Sequence, residues 1–357
     1  MKKIYVCHQY YAPTHFQALY DCAKDYGYQV EDIIVLNPAS ALKQRQKIMQ
    51  KEGLRMADEW YRNNSIAQGE LWLLKDEIVI IGVAPYDRLL AQYQSVLMKN
   101  YSIYMTSWAD WHSGNVPYRY LENKSGFMDT LTNYIDGVAC VSNKTEEEIF
   151  QWNNVTQVVN HAIRVKEYLK KDCYSREGKY IFLGRLIDCK NINLIISYLK
   201  RNPNVNIQID FAGDGKEKEM LQKYSEIDKR IHLLGYLDTN EIKRHLHEYD
   251  YLILPSKHEL FGIVLLEALA SGVPCIVSDV TGPKEIIQHD KTGIIFELKD
   301  EKQFYDAMDY SINLDDNKYK EMSKNAIFEG LKYDVNEVIK KWISLFDRVQ
   351  QVDVKNK

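Results

Sequence analysis

The stretch that most limits what this chain can fold into runs from Tyr251 to Ser278. Tyr251-Leu252-Ile253-Leu254 is an apolar run of the length a buried parallel strand needs. Pro255 and Ser256 break it. Phe261-Gly262 makes a tight turn, and Ile263 to Ala270 consists of good helix formers. Gly272 closes that helix, Pro274 forbids its return, and Cys275-Ile276-Val277-Ser278 reads as the next strand. The loop carries one carboxylate, Glu259, and the helix carries another, Glu267, so the two should meet different parts of one ligand. The free N–H groups at the helix start, those of Ile263, Val264 and Leu265, form a natural anion site.

The same alternation runs through the rest of the chain. Residues 4–8, 30–36, 78–83, 102–106, 137–142 and 155–159 read as strands, and so do 179–183, 205–211, 231–234 and 293–296. Helical patterns lie over 17–25, 41–62, 193–199, 217–224, 241–249 and 284–288, and 301–349 is mostly helical. Asn143 or Thr145 would cap a helix that opens near 143. This is the α/β pattern of doubly wound parallel sheets. A chain of 357 residues has room for two such domains. The linker falls near 162–178, where charge density rises and Gly178 appears.

A net charge of -4 argues against a dedicated nucleic-acid binder. The six cysteines are scattered without a Cys-x-x-Cys pair, which suggests neither zinc nor a disulfide framework but reduced thiols. With no signal-peptide pattern and no long apolar run, a cytoplasmic location is expected. Residues 41–62 carry Lys43, Arg45, Lys47, Lys51 and Arg55 among Ile48, Met49, Leu54 and Trp60. Such a stretch suits peripheral contact with anionic lipid headgroups, or else a solvated helix face.

Ligands of open α/β sheets bind at the carboxyl ends of strands, so the loops that follow strands hold the candidates. After 179–183 come Gly184, Arg185 and Lys190. Gly184 lets a backbone approach closely, Arg185 offers a planar fork to phosphate oxygens, and Lys190 adds a point charge. Asn191 can support a left-handed turn. The bland alternative makes Arg185 and Lys190 solvated surface charges. After 205–211 comes Ala212-Gly213-Asp214-Gly215, for which a plain strand-to-helix turn also suffices.

The frame Glu-Leu-Phe-Gly-(x)4-Glu-Ala-Leu-Ala-Ser-Gly-Val-Pro, Glu259 to Pro274, resembles the signature of the family-4 retaining glycosyltransferases, in the glycosyl transferases group 1. Gly184-Arg185-Leu186 with Lys190, and the Gly213-Asp214-Gly215 turn, are similar to further motifs of that family. The likeness is motif-specific over 179–300 and one of pattern only over 1–160. The chain departs from the family at Asn191, where glycine is usual. His15-Phe16 stands in place of adjacent glycines in the first loop, so that loop stands back from the donor, lends side chains to an acceptor pocket, or is an ordinary aromatic-capped loop. Ser107-Trp108 stands where a histidine often follows the strand.

The resemblance implies a GT-B fold, two Rossmann-like doubly wound domains facing across a cleft. Residues 1–165 would bind the acceptor and 166–334 the nucleotide sugar, with 335–357 a helix crossing back to the first domain. Arg185, Lys190 and the helix N–H groups would hold the diphosphate, and Glu267 the ribose. Glu259 would meet the donor sugar near its reacting carbon. Gly184, Gly213, Phe261, Gly262, Ile263 and Val264 would complete the donor site, with Gly235-Tyr236-Leu237 near the base. Asp110 or His112 would approach the reacting hydroxyl, or the Trp-rich loop around them is structural. No Asp-x-Asp is present, so no metal and no cofactor beyond the nucleotide-sugar substrate is implied. The implied activity is metal-independent hexosyl transfer with retention, to a glycan or lipid-linked acceptor in surface polysaccharide or glycoconjugate synthesis. Two competing readings are a sugar-nucleotide epimerase of the same fold, which would lack the Glu frame, and a non-catalytic glycan-binding partner of a transferase, which could lose Arg185, Lys190 or Glu259 without harm.

Overall fold

The computed structural model describes residues 1–8, 13–34, 38–82, 93–106 and 124–351. The chain divides into two compact units, Met1–Ala162 with Val335–Lys357, and Ile163–Asp334.

The first unit holds β1 (Lys2–His8), β2 (Tyr28–Ile34), β3 (Ile78–Gly82), β4 (Tyr101–Thr106), β5 (Gly137–Cys140) and β6 (Thr156–Val158). They form one parallel sheet in the order β2-β1-β3-β4-β5-β6. Every residue of β3 is buried, as a strand covered on both faces requires. The helix Val335–Gln351 packs on β4, β5 and β6 of the same sheet. Its Val335, Val338, Ile339, Trp342, Leu345, Phe346 and Val349 recur at helical spacing and are buried. Trp342 lies 6.2 Å from the ring of Phe16, and Phe346 lies 5.5 Å from that of Tyr28. Phe16 is therefore a core residue, 1% exposed, while His15 stacks on the buried His161 at 4.5 Å.

Two local expectations are corrected here. The helical pattern over 41–62 resolves into two helices, Pro38–Glu52 and Leu54–Leu71. Gly53 separates them at φ 90°, a backbone that chiral residues adopt only with strain. The cap near 143 is Ser142, whose extended backbone lets its hydroxyl accept from the Thr145 N–H at 3.2 Å.

The second unit holds β7 (Lys179–Leu183), β8 (Gln208–Ala212), β9 (Ile231–Gly235), β10 (Tyr251–Leu254), β11 (Cys275–Ser278) and β12 (Gly293–Phe296). They form a parallel sheet in the order β12-β11-β10-β7-β8-β9. Helix Ile263–Ser271 is buried from Leu265 onward and ends at Gly272 in a left-handed cap. The helix expected over 284–288 starts earlier, at Thr281, and runs to Ile286. Pro283 sits in its first turn, where a missing N–H costs no intrahelical bond. Among the described residues no helix is long and apolar enough to cross a membrane.

Candidate functional site

In the second unit β7 and β10 are central neighbours, and the chain leads to β8 on one side and β11 on the other. Such a reversal of strand order opens a crevice at the carboxyl ends of the two strands. The loops that enter it are 184–191 after β7 and 255–262 after β10.

These two loops are tied together. The Lys257 N–H donates to the Cys189 carbonyl at 2.8 Å, and the Lys257 ammonium meets Asp188 at 2.7 Å. Asp188–Lys190 forms a 3-10 turn, closed by Asn191 in the left-handed region at φ 56°. That turn delivers the Lys190 ammonium onto the Glu259 carboxylate. With side chains only 12% and 17% exposed, each charge needs the other or a ligand to replace lost water. Arg185 on the same loop is exposed, and its side chain makes no ion pair or hydrogen bond among the described residues.

The backbone turns after β7, β8 and β9 lie side by side. Gly184 N–H donates to Ala212 O at 3.0 Å, Gly213 N–H to Gly235 O at 2.7 Å, and Leu186 N–H to Asp214 O at 2.9 Å. A Cβ on Gly213 would collide with the Gly184 carbonyl, so only glycine permits this approach.

Gly262 caps the helix Ile263–Ser271, and its carbonyl accepts from the Leu265 N–H at 2.9 Å. That leaves the N–H groups of Ile263 and Val264 without a backbone acceptor among the described residues. Leu265 was expected to offer a third, but its N–H is engaged. Phe261 is buried and stands edge-on to the Tyr333 ring at 6.2 Å, so it anchors the turn by packing. The Glu259 carbonyl accepts from the Gly282 N–H at 3.0 Å, which braces the loop from behind.

Glu267 is 8% exposed. Burial raises its carboxyl to about 7, against the opposing pull of a Tyr168 hydrogen bond and the Lys243 charge. The Tyr168 hydroxyl donates to Glu267 Oε1 at 3.1 Å. Burial and the Glu267 carboxylate hold the Tyr168 phenol far above its ordinary range, so it stays a donor. Lys243 pairs with Glu167 and lies 6.0 Å from the centre of the Tyr168 ring.

The structure thus brings Gly184, Lys190, Gly213, Glu259, Phe261, Gly262, Ile263 and Val264 to the loops and turns at one end of this sheet, with Arg185 on the same loop as Lys190. Glu267 sits one helical turn further along. Asp110 and His112 lie outside the described residues. The sequence reading missed Tyr168 and Lys243. No local signal marks them, since Tyr168 meets Glu267 across 99 positions of chain. Among the described residues no group of three or more His, Cys, Asp or Glu could hold a metal ion.

Residues 167–327 match the model of the family described as Glycosyl transferases group 1. The N-acetyl-alpha-D-glucosaminyl L-malate synthase of Bacillus anthracis is 31% identical over 166 residues, 43% of each chain. The 2-deoxystreptamine N-acetyl-D-glucosaminyltransferase of Niallia circulans is 28% identical over 169 residues, 46% of this chain and 41% of that one. The match thus spans less than half the length of these curated relatives. HepE of Anabaena, solved in complex with UDP, superposes with a TM-score of 0.72 at 14% identity, over 97% of this chain and 100% of that one. Residues 167–327 of the second unit are thus similar to the glycosyl transferases group 1 family, and the two Rossmann-like domains are those of the GT-B fold.

Proposed function

We propose that the chain is a retaining glycosyltransferase of family-4 type that moves a hexosyl group from a nucleotide sugar to a glycan or lipid-linked acceptor. The observation that carries this reading is the contact of Lys190 with Glu259 at the strand-order reversal, beside the helix start of Ile263 and Val264. A cation, open N–H donors and an acid on one crevice match the three charges of the reaction. The diphosphate brings negative charge, its leaving oxygen gains more, and the sugar's ring carbon turns positive.

In this reading Lys190, Arg185 and the N–H groups of Ile263 and Val264 take the diphosphate. Glu267 accepts from the ribose hydroxyls. When the diphosphate draws Lys190 away, the Glu259 carboxylate is released toward the sugar. The bond from the anomeric carbon to the phosphate oxygen breaks, and the electron pair leaves with the nucleoside diphosphate. The acceptor oxygen attacks from the same face, and its proton passes to the departing phosphate oxygen. Lys190 and Arg185 supply positive charge that a metal ion would otherwise bring.

Residues 1–165 take the acceptor in this proposal, with Asp110 and His112 as candidates on that side. The helices Pro38–Glu52 and Leu54–Leu71 expose Leu42, Met49, Leu54 and Met56 beside Lys47 and Arg55, a surface suited to a lipid-borne acceptor. The N-acetylglucosaminyl activity in the name of the Niallia circulans relative supports a hexosyl donor.

The test is a thermal-shift screen of nucleotide sugars, followed by transfer and hydrolysis assays on those that stabilise the chain. Glu259→Gln should abolish turnover of the selected donor while the melting temperature holds. Undiminished turnover in that variant would remove the catalytic reading.

A further inference from the structure

Tyr168 has no place in the donor chemistry just described, yet it is 4% exposed and its hydroxyl is spent on Glu267. The segment that bears it lies along two helices. The Leu169 N–H donates to the Lys243 carbonyl at 2.9 Å, and the Lys171 N–H to the Ser271 carbonyl at 3.0 Å. Tyr168 is thus held on both sides, at helix Thr239–His245 and at the end of the Glu267 helix. Lys243, bound to Glu167, keeps its ammonium above the phenol ring.

A glutamate side chain has three rotatable bonds, and an unanchored carboxylate on a helix samples several orientations. Glu267 is anchored through one oxygen, Oε1. Its Oε2 has no hydrogen-bond partner among the described residues. We propose that Tyr168 is a positioning residue of the donor site: by holding Oε1 it turns the free face of the Glu267 carboxylate to the two hydroxyls of the donor's ribose.

The inference rests on the donor reading of Glu267, and it adds a residue that contacts no substrate. Its consequence is selective. Loss of the phenol hydroxyl should weaken recognition of the ribose hydroxyls, and leave the grip on diphosphate through Lys190 and the helix N–H groups intact.

The probes are the diphosphates of uridine, guanosine and adenosine, each paired with its 2′,3′-dideoxy form, titrated by calorimetry into the full chain. The unaltered chain should prefer the ribose form of its best diphosphate by about tenfold or more, as expected for hydrogen bonds to a charged group. Tyr168→Phe should bring that preference down several-fold while binding of the dideoxy form stays near its original strength. Glu267→Gln should reduce the same ratio, and the double variant should add little to the single ones. A Tyr168→Phe chain with an unchanged preference, or one that loses both forms equally, overturns the positioning role. If the unaltered chain binds a diphosphate but does not distinguish its ribose and dideoxy forms, the role of Glu267 fails. If it binds none, the donor reading itself fails.

Discussion

The ammonium of Lys190 and the carboxylate of Glu259 meet although 69 positions of chain separate them. They meet because β7 and β10 are neighbours and Lys257 ties their loops together. In the proposed donor site, removing the cation would strip the diphosphate of a charge-assisted contact worth about 1.5–3 kcal/mol. Lys190→Ala should therefore weaken binding of the selected nucleoside diphosphate by roughly 10- to 100-fold, read by calorimetry. Unchanged affinity would refute a phosphate role for this lysine.

Glu267 links stability to pH. Its folded value, about 7, is raised above the ordinary 4.5 by burial. Between these two values the folded chain holds a proton that the unfolded chain has lost, so stability falls as pH rises. The total is about 3–4 kcal/mol, taking ~1.4 kcal/mol per pH unit over the rise from 4.5 to about 7. Glu267→Gln should flatten this decline between pH 5 and 8 in urea melts. An unaltered slope would place the carboxyl in water.

In the proposed donor site the same titration would act on the ligand. A ribose that donates two hydrogen bonds needs the carboxylate, which dominates above about 7. Nucleoside diphosphate affinity should fall as pH drops from 8 to 6. The decline should be smaller in Glu267→Gln, where only the titration of the terminal phosphate remains, with calorimetry at several pH values as the check.

Gly213 tests the glycine turn. A side chain there would collide with the Gly184 carbonyl and occupy φ 147°. Gly213→Ala should destabilise the second unit by about 1–3 kcal/mol and push the two turns apart. Diphosphate affinity should drop with it. A variant with native melting temperature and native affinity would show that the turns tolerate separation.

Trp342 is the largest fully buried side chain of its helix. Trp342→Ala should cost the first unit about 3–5 kcal/mol in urea unfolding. Nucleoside diphosphate affinity, which the proposal places in the second unit, should stay near its original value. A joint collapse of both properties would contradict separate cores.

What could be read in advance follows how far apart the cooperating residues lie. Glu259, Phe261, Gly262, Ile263 and Glu267 fall within nine positions, and one strand-loop-helix pattern orders them all. The strand alternation likewise reveals two doubly wound sheets, because buried parallel strands are written as short apolar runs. Gly53 was legible as a breaker in principle, but the helical periodicity on either side masks it. Tyr168 and Lys243 were not legible, because their relation to Glu267 exists only after three distant segments have packed. Asp110 and His112 rested on family likeness at a place where the chain departs from the family's pattern.

The helix Val335–Gln351 packs on the first sheet after the chain has built the whole of Ile163–Asp334. The entry and exit of that insert adjoin, with the Ile163 N–H on the Tyr333 carbonyl at 3.0 Å and the Val165 N–H on Asp334 at 3.1 Å. On the ribosome, the half made first therefore waits with β4, β5 and β6 uncovered by that helix. The half made second can close on itself beforehand, so the order of completion inverts the order of synthesis.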